Sequence, residues 1–250
     1  MTFTFFSLPY RIRSICETMT WSTMIRRPIA SVIYRSYRRR SSIIKMSTYE
    51  NNVPVVPNKF HGQAVNTDMS RDKWNQCWET GITDFHKEDK HEFLVDHLDT
   101  LLNGRQSIKI FFPLCGKAVD MKWLYDLGHT IIGVEGAQKP VEEFFNENHI
   151  EHTVDAVDSV KGLLYQSSDR RMIIYFCDIY DFSSSAAGQF DAIWDRGSFG
   201  AINKLDRARY ATLLLSLMAP GCRCLMECFS FNETRFVELD ADIRNHHNHL

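Results

Sequence analysis

The sequence predicts an α/β fold: a doubly wound, mostly parallel sheet with helices placed ahead of it. Three observations predict it. From Ile108 onward, short apolar runs of strand length alternate with segments of helical period. These runs are apolar throughout, as suits strands covered on both faces. Finally, a helical stripe precedes the first of them, between Arg71 and Asn103.

The elements follow in order. Trp74 and Trp78 stand one helical turn apart, and Phe93, Leu94, His97, Leu98, Leu101 and Leu102 form a stripe that stops at Asn103-Gly104, so one or two helices come first. Ile108 to Leu114 is the first strand, followed by a helix from about Ala118 to Leu127 that Gly128 ends. Thr130 to Glu135 is the second strand and Val141 to Asn148 the second helix of the alternation. Met172 to Cys177 reads as a third strand and Phe190 to Trp194 as a fourth. Arg207 to Met218 is a helix, and after Pro220-Gly221 the chain enters a fifth strand, Arg223 to Phe229.

With 250 residues and 44% hydrophobic content the chain can bury a sizeable core, and one α/β domain with appendages is expected. The formal net charge of −2 provides no global basic field, so no nucleic-acid partner is expected. No apolar run reaches the length of a membrane span. Seven cysteines, scattered from Cys16 to Cys228 without a compact framework, suit reduced thiols in the cytoplasm. A monomer is expected.

Residues 1–45 differ from the rest: Arg11, Arg13, Arg26, Arg27, Arg35, Arg38, Arg39, Arg40 and Lys45 face a single acid, Glu17, among many serines. That is the composition of a mitochondrial transit peptide, or of sequence upstream of a start at Met46, and both readings stand open. Either way, deleting this leader should leave the fold unaltered. Residues 46–70 read as a flexible lead-in, 71–229 as the folded domain and 230–250 as a short polar tail rich in histidine.

Chemistry concentrates at strand ends, where doubly wound sheets bind ligands. Pro113-Leu114-Cys115-Gly116 is a tight turn between a strand and a helix, and Gly116 allows the backbone to approach a ligand closely. One glycine there is also plain turn chemistry. Glu135 ends the second strand 19 positions after Gly116, near the spacing at which ribose hydroxyls find an acidic acceptor. Without the preceding turn it would read as a surface glutamate. Cys177-Asp178-Ile179 and Trp194-Asp195-Arg196-Gly197 close the next two strands on the same side, the Asp-Arg pair serving either as a helix-start ion pair or as part of a site.

The turn lacks the Gly-x-Gly-x-x-Gly pattern that seats a pyrophosphate at a helix N-terminus, so a single nucleoside fits better than a dinucleotide. That favours S-adenosylmethionine over NAD. No Gly-x-Ser-x-Gly elbow or phosphate loop occurs. Cys222 and Cys224 flank Arg223 at strand period, and with Cys228, His246, His247 and His249 they do not show the spacing of a zinc site, so no metal is expected.

At Trp74-x3-Trp78, Thr83-Asp84-Phe85-His86, the block from Phe111 to Trp123 (FFPLCGKAVDMKW), Gly133-Val134-Glu135 and Ile193-Trp194-Asp195-Arg196-Gly197, the chain resembles the thiopurine S-methyltransferase family, a group of Rossmann-like class I methyltransferases. The likeness runs from about Arg71 to Phe229, and the thirteen-residue block is highly specific. It implies S-adenosyl-L-methionine as cofactor and a small aromatic or heterocyclic thiol as substrate. It also implies a lid from Trp74 and Trp78 to Phe85, with Phe85 touching the substrate ring. Leu114 would contact the methionine part, Gly116 would let the backbone approach the cofactor, and Glu135 would line the ribose and Asp178 with Ile179 the adenine side. Arg196 would meet the cofactor or steady the thiolate, and no general base is identified.

Family members continue beyond the fifth strand, whereas about 20 residues follow Phe229 here. The expectation is a sheet cut short at its C-terminal strands, with an uncovered edge and impaired turnover. A cofactor-binding remnant without activity and another nucleoside-cofactor enzyme of dehydrogenase type are the alternatives.

Overall fold

A computed structural model describes residues 43–49 and 69–229; the calls on the rest of the leader, the lead-in and the tail lie outside the described residues. Strand β1 (Ile43–Tyr49) comes first. Helices α1 (Arg71–Thr80), α2 (Glu92–Asp96) and α3 (Leu98–Leu102) then lead to β2 (Lys109–Pro113). The alternation continues through α4 (Val119–Asp126), β3 (Thr130–Glu135), α5 (Gln138–Glu147), β4 (His152–Val157), β5 (Gly162–Ser167) and β6 (Met172–Phe176). It closes with α6 (Ser184–Ala187), β7 (Phe190–Arg196), α7 (Ser198–Ala201), α8 (Arg207–Leu217) and β8 (Met218–Phe229).

The described strands form one sheet in the order β1-β8-β7-β2-β3-β6-β5-β4. Pairings from β1 to β6 are parallel, and the β4-β5 hairpin joins antiparallel. Side chains alternate across this sheet into two cores. Ile110, Phe112, Ile131, Ile174, Ala192 and Trp194 pack with Met121, Val141, Phe144 and Phe145 on one face. Phe111, Ile132, Val134, Tyr175 and Ile193 pack with Tyr210, Leu214 and Leu217 on the other. The sequence pattern of unbroken apolar runs has this cause: neither face of the central strands meets water.

Each helix starts and stops for local reasons. Ser70 caps α1 by accepting the Lys73 N–H at 3.3 Å, Asp72 complements the dipole in the first turn, and Gly81 ends it. The predicted stripe from Phe93 to Leu102 forms two short helices rather than one, broken at His97, whose backbone leaves the helical region at φ −115 and ψ 12.

The β4-β5 hairpin was not read from the sequence. Strand β4 lies at the sheet edge with four of its six residues exposed, so it carries no sustained apolar period. Its neighbour depends on Gly162: a Cβ there would fall 2.1 Å from the Phe176 carbonyl oxygen, so only glycine lets β5 meet β6 at this register.

The expectation of a bare edge beyond the fifth strand is corrected. Strand β1 lies parallel on β8, from Ile43 opposite Arg223 to Tyr49 opposite Phe229. It comes from chain assigned to the leader and the flexible lead-in, so the boundary at 45/46 cuts through a strand. Backbone pairing explains the miss: a strand can satisfy a sheet edge through its N–H and C=O groups whatever its composition. The fifth strand also begins earlier than expected, at Met218. Among the described residues no helix is long and apolar enough to cross a membrane.

Removing residues 1–50 should therefore expose the β8 edge. The shortened chain is expected to melt at lower temperature and scatter more light at equal concentration. Superimposable melting and scattering curves would show that this edge needs no cover, as the sequence reading held.

Candidate functional site

Parallel pairing sets the carboxyl ends of the strands side by side. Pro113 lies opposite Val134, Glu135 opposite Phe176, and Arg196 opposite Glu227. Beyond these ends the chain must turn into helices, and the polar groups gather there.

The first turn is tightly built. Leu114 has φ 41 and Gly116 φ 51. A leucine in the left-handed region costs about 1 kcal/mol or more, and such strain persists where surrounding structure holds it. Here the holders are visible: the Cys115 N–H donates to the Val134 oxygen at 3.0 Å, and the Gly116 N–H donates to Glu135 Oε2 at 2.7 Å. The other carboxylate oxygen, Oε1, accepts from Ala137 N–H at 2.8 Å. Glu135 is only 7% exposed. Burial pushes its pKa above the ordinary carboxylate range, against the pull of the Gly116, Ala137 and Gly136 amides and the Arg71 cation.

Over this turn lies α1. A Cβ on Gly116 would stand 3.0 Å from Trp78 Cζ2, so the indole rests directly on the glycine backbone. Phe85 meets Trp74 and Trp78 edge-on, with centroids 5.5 and 5.2 Å away. The arm is tied down at several points. Arg71 Nε donates to the Gly136 oxygen at 2.7 Å, beside Glu135, and its guanidinium sits 5.2 Å from the Phe176 ring. Met69 exchanges hydrogen bonds with the Asn203 side-chain amide at 3.0 and 3.3 Å. Arg196 Nη2 donates to the Phe85 oxygen at 2.6 Å.

The structure thus joins Trp74, Trp78, Phe85, Gly116, Glu135 and Arg196 in one connected cluster. Leu114 belongs to the same turn, partly buried against the second core. Asp178 and Ile179 stand alongside, because Cys177 N–H donates to the Glu135 backbone oxygen at 3.0 Å. The Asp178 carboxylate turns back to accept the Tyr180 N–H at 2.8 Å, and Ile179 is buried in the second core, 5% exposed.

Sequence reasoning missed Arg71, His91, Asn203 and Glu227. Glu227 had a readable signal, an acid inside the apolar strand β8; it lies 3.8 Å from Arg196 Nε and 3.2 Å from His91 Nε2. The others had none, since their partners lie far away in sequence. Two buried acids brace the site from behind. Asp120 accepts from His91 N–H at 2.9 Å and Trp194 Nε1 at 3.1 Å. Asp195 accepts from Tyr210 Oη at 2.8 Å and Phe199 N–H at 3.2 Å, while Ser198 Oγ donates to the Pro113 oxygen at 2.7 Å. Among the described residues no cluster of three or more His, Cys, Asp or Glu side chains could hold a metal. Cys222 and Cys224 are buried thiols, and burial pushes Cys222 up to about 12.

An acid answering a single-glycine turn under an aromatic lid, with no loop for a pyrophosphate, suits one nucleoside held beside a small acceptor. The class is that of the doubly wound methyltransferases. Comparison with known proteins narrows it. The model of the family described as thiopurine S-methyltransferase matches residues 69–236. A probable thiopurine S-methyltransferase of Danio rerio is 47% identical over 165 residues, covering 66% of this chain and 71% of the relative. The thiopurine S-methyltransferase of Bos taurus is 38% identical over 191 residues, covering 72% and 78%. A solved S-adenosylmethionine-dependent methyltransferase of Anabaena variabilis superposes with a TM-score of 0.47 at 15% identity, covering 65% of each chain. The chain belongs to the thiopurine S-methyltransferase family, whose methyl donor is S-adenosylmethionine.

Two outcomes follow from this geometry. Gly116→Ala places a methyl against Trp78 at a positive φ, so unfolding free energy should fall by about 1–2 kcal/mol; denaturant titration of the full chain measures it, and an unshifted midpoint contradicts the packing described.

Asp195 is pushed up to about 6, first by burial, with Tyr210, Phe199 and Ser198 pulling the other way. Its folded pKa lies above the unfolded value of about 3.9, so its stabilising contribution is complete below that value and is lost as pH rises through about 6. The Asp195→Asn chain should accordingly lose less stability than the parent between about pH 4 and pH 7, measured by denaturant titration across that range. Parallel curves for the two proteins would rule this out.

Proposed function

We propose that this chain transfers the methyl group of S-adenosylmethionine to the sulfur of a small aromatic or heterocyclic thiol. The observation that carries the reading is the buried Glu135 carboxylate, bound by the Gly116 amide under Trp78. The cradle fits a nucleoside. Each Glu135 oxygen keeps acceptor capacity beyond its amide partner, as two ribose hydroxyls require. Gly116 puts no side chain between the turn and Trp78.

When bound, S-adenosylmethionine supplies a methyl group already activated by its sulfonium. The work left for the protein is alignment and exclusion of water. Glu135 accepts the ribose hydroxyls. Leu114 and Gly116 line the methionine part, and the backbone at Asp178 with Ile179 meets the adenine side, since the Asp178 side chain is engaged with Tyr180. Trp74, Trp78 and Phe85 close over the pair, and Phe85 packs on the substrate ring.

Arg196 supplies the positive charge that favours a thiolate over a thiol. It donates to the Phe85 carbonyl, which sets its guanidinium against the lid, and a substrate ring under Phe85 would lie near it. An aromatic thiol ionises readily, and no dedicated base is required for this reading. The names of the relatives from Danio rerio and Bos taurus support a thiol acceptor, and the aromatic lid beside a cation is the chemistry such an acceptor needs.

Glu135→Gln keeps the shape and removes the charged acceptor, worth about 1.5–3 kcal/mol. Calorimetry should show S-adenosylmethionine affinity weakened about ten- to a hundredfold in the folded variant. The parent chain should methylate a panel of aryl thiols and leave aryl alcohols untouched. Unchanged affinity removes Glu135 from the site, and a parent chain that binds the cofactor but methylates no thiol refutes the acceptor class.

A further inference from the structure

Glu227 is the only acid in β8, and parallel pairing sets it directly beside Arg196. It is 5% exposed. Its Oε2 lies 3.8 Å from Arg196 Nε and 3.2 Å from His91 Nε2, and its backbone oxygen accepts the Gly197 N–H at 3.2 Å. His91 Nε2 faces the carboxylate, while its Nδ1 is buried without a hydrogen-bond partner among the described residues. The carboxylate thus lies between the imidazole and the guanidinium.

A buried anion this close to Arg196 changes what the arginine can recognise. Charges interact strongly where water is scarce, so Glu227 offsets part of the guanidinium's attraction for anions, which a single thiolate tolerates better than a ligand with two negative groups. The N–H groups remain as directional donors. The Arg196 side chain is more open than that of Glu227, 22% against 7% exposed, so the cation is the partner that an incoming ligand meets.

We propose that Glu227 is a specificity-determining positioning residue: by offsetting part of the Arg196 charge it leaves enough to favour one thiolate but not a second anionic group, so the site favours aryl thiols that carry no additional anion. This rests on the thiol-methylation reading given above. No contact between Glu227 and substrate is required, since it acts through Arg196. The His91 imidazole flanks the carboxylate.

The test compares kcat/KM for 4-mercaptobenzoate and 4-mercaptobenzamide, which are close in shape and differ by the charge of the carboxylate. In Glu227→Gln the ratio of the first to the second should rise about tenfold, the scale of one screened charge interaction at this distance. A purely structural role would lower both values together and leave the ratio unmoved. Glu227→Asp withdraws the carboxylate by one methylene and should shift the ratio in the same direction by less, which serves if the glutamine variant does not fold. A ratio that stays level or falls in the folded variants overturns the proposal.

Binding gives an arm independent of turnover. Calorimetry of benzoate and benzamide on the full chain, with S-adenosylhomocysteine present, should show benzoate bound about tenfold more tightly by Glu227→Gln and benzamide unchanged. If the parent methylates neither thiol, the acceptor reading fails, and the benzoate titration still decides on Glu227. No gain in benzoate affinity counts against the proposal.

Discussion

The hydrogen bond from the Gly116 amide to the buried Glu135 carboxylate is the constraint on which the rest of the site depends. It joins the turn after β2 to the end of β3, two strands already in register from Lys109 opposite Thr130 to Pro113 opposite Val134. A carboxylate with so little exposure stays only because amide N–H groups answer it, and Gly116 and Ala137 supply them at 2.7 and 2.8 Å. The strained backbone at Leu114 follows from the same bond, since the turn must present the Gly116 N–H inward. Trp78 can then pack directly on Gly116, which has no side chain in its way.

From there the lid is positioned by links to separate parts of the sheet. Met69 is held by Asn203 beyond β7, Arg71 by the Gly136 carbonyl beyond β3, and Phe85 by Arg196 at the end of β7. Each link ties the N-terminal arm to a segment that follows a strand on the carboxyl side of the sheet. Behind the site, Asp120 and Asp195 use their carboxylates to fix the core residues Trp194 and Tyr210 and the nearby backbone. Burial of those acids is tolerable because every carboxylate has donors.

The cysteines have a different role. Cys77, Cys115, Cys177, Cys222 and Cys224 are all buried free thiols. Burial raises each of them, with Cys177 and Cys222 pushed up to about 12. They pack as small apolar groups and are poor nucleophiles. These five described thiols are thus kept protonated and out of reach of solvent.

By itself, the sequence determined the parallel alternation, because strands buried on both faces must be apolar throughout. It also determined the floor of the site: Gly116 and Glu135 are read from spacing along neighbouring strands, and Trp74, Trp78, Phe85 and Arg196 from the family resemblance. What lay beyond it was decided by pairing at a distance. Glu227 comes beside Arg196 only through the β7-β8 register, Asn203 meets Met69 across 134 positions, and Arg71 reaches Gly136 across 65. The outer strands escaped for a related reason. Strand β4 is largely exposed, and β1 is joined to the sheet by backbone groups that every residue carries, so neither leaves a hydrophobic signature. Apolar periodicity records burial, and burial was legible; the choice of polar and backbone partners is made only when the chain has closed on itself.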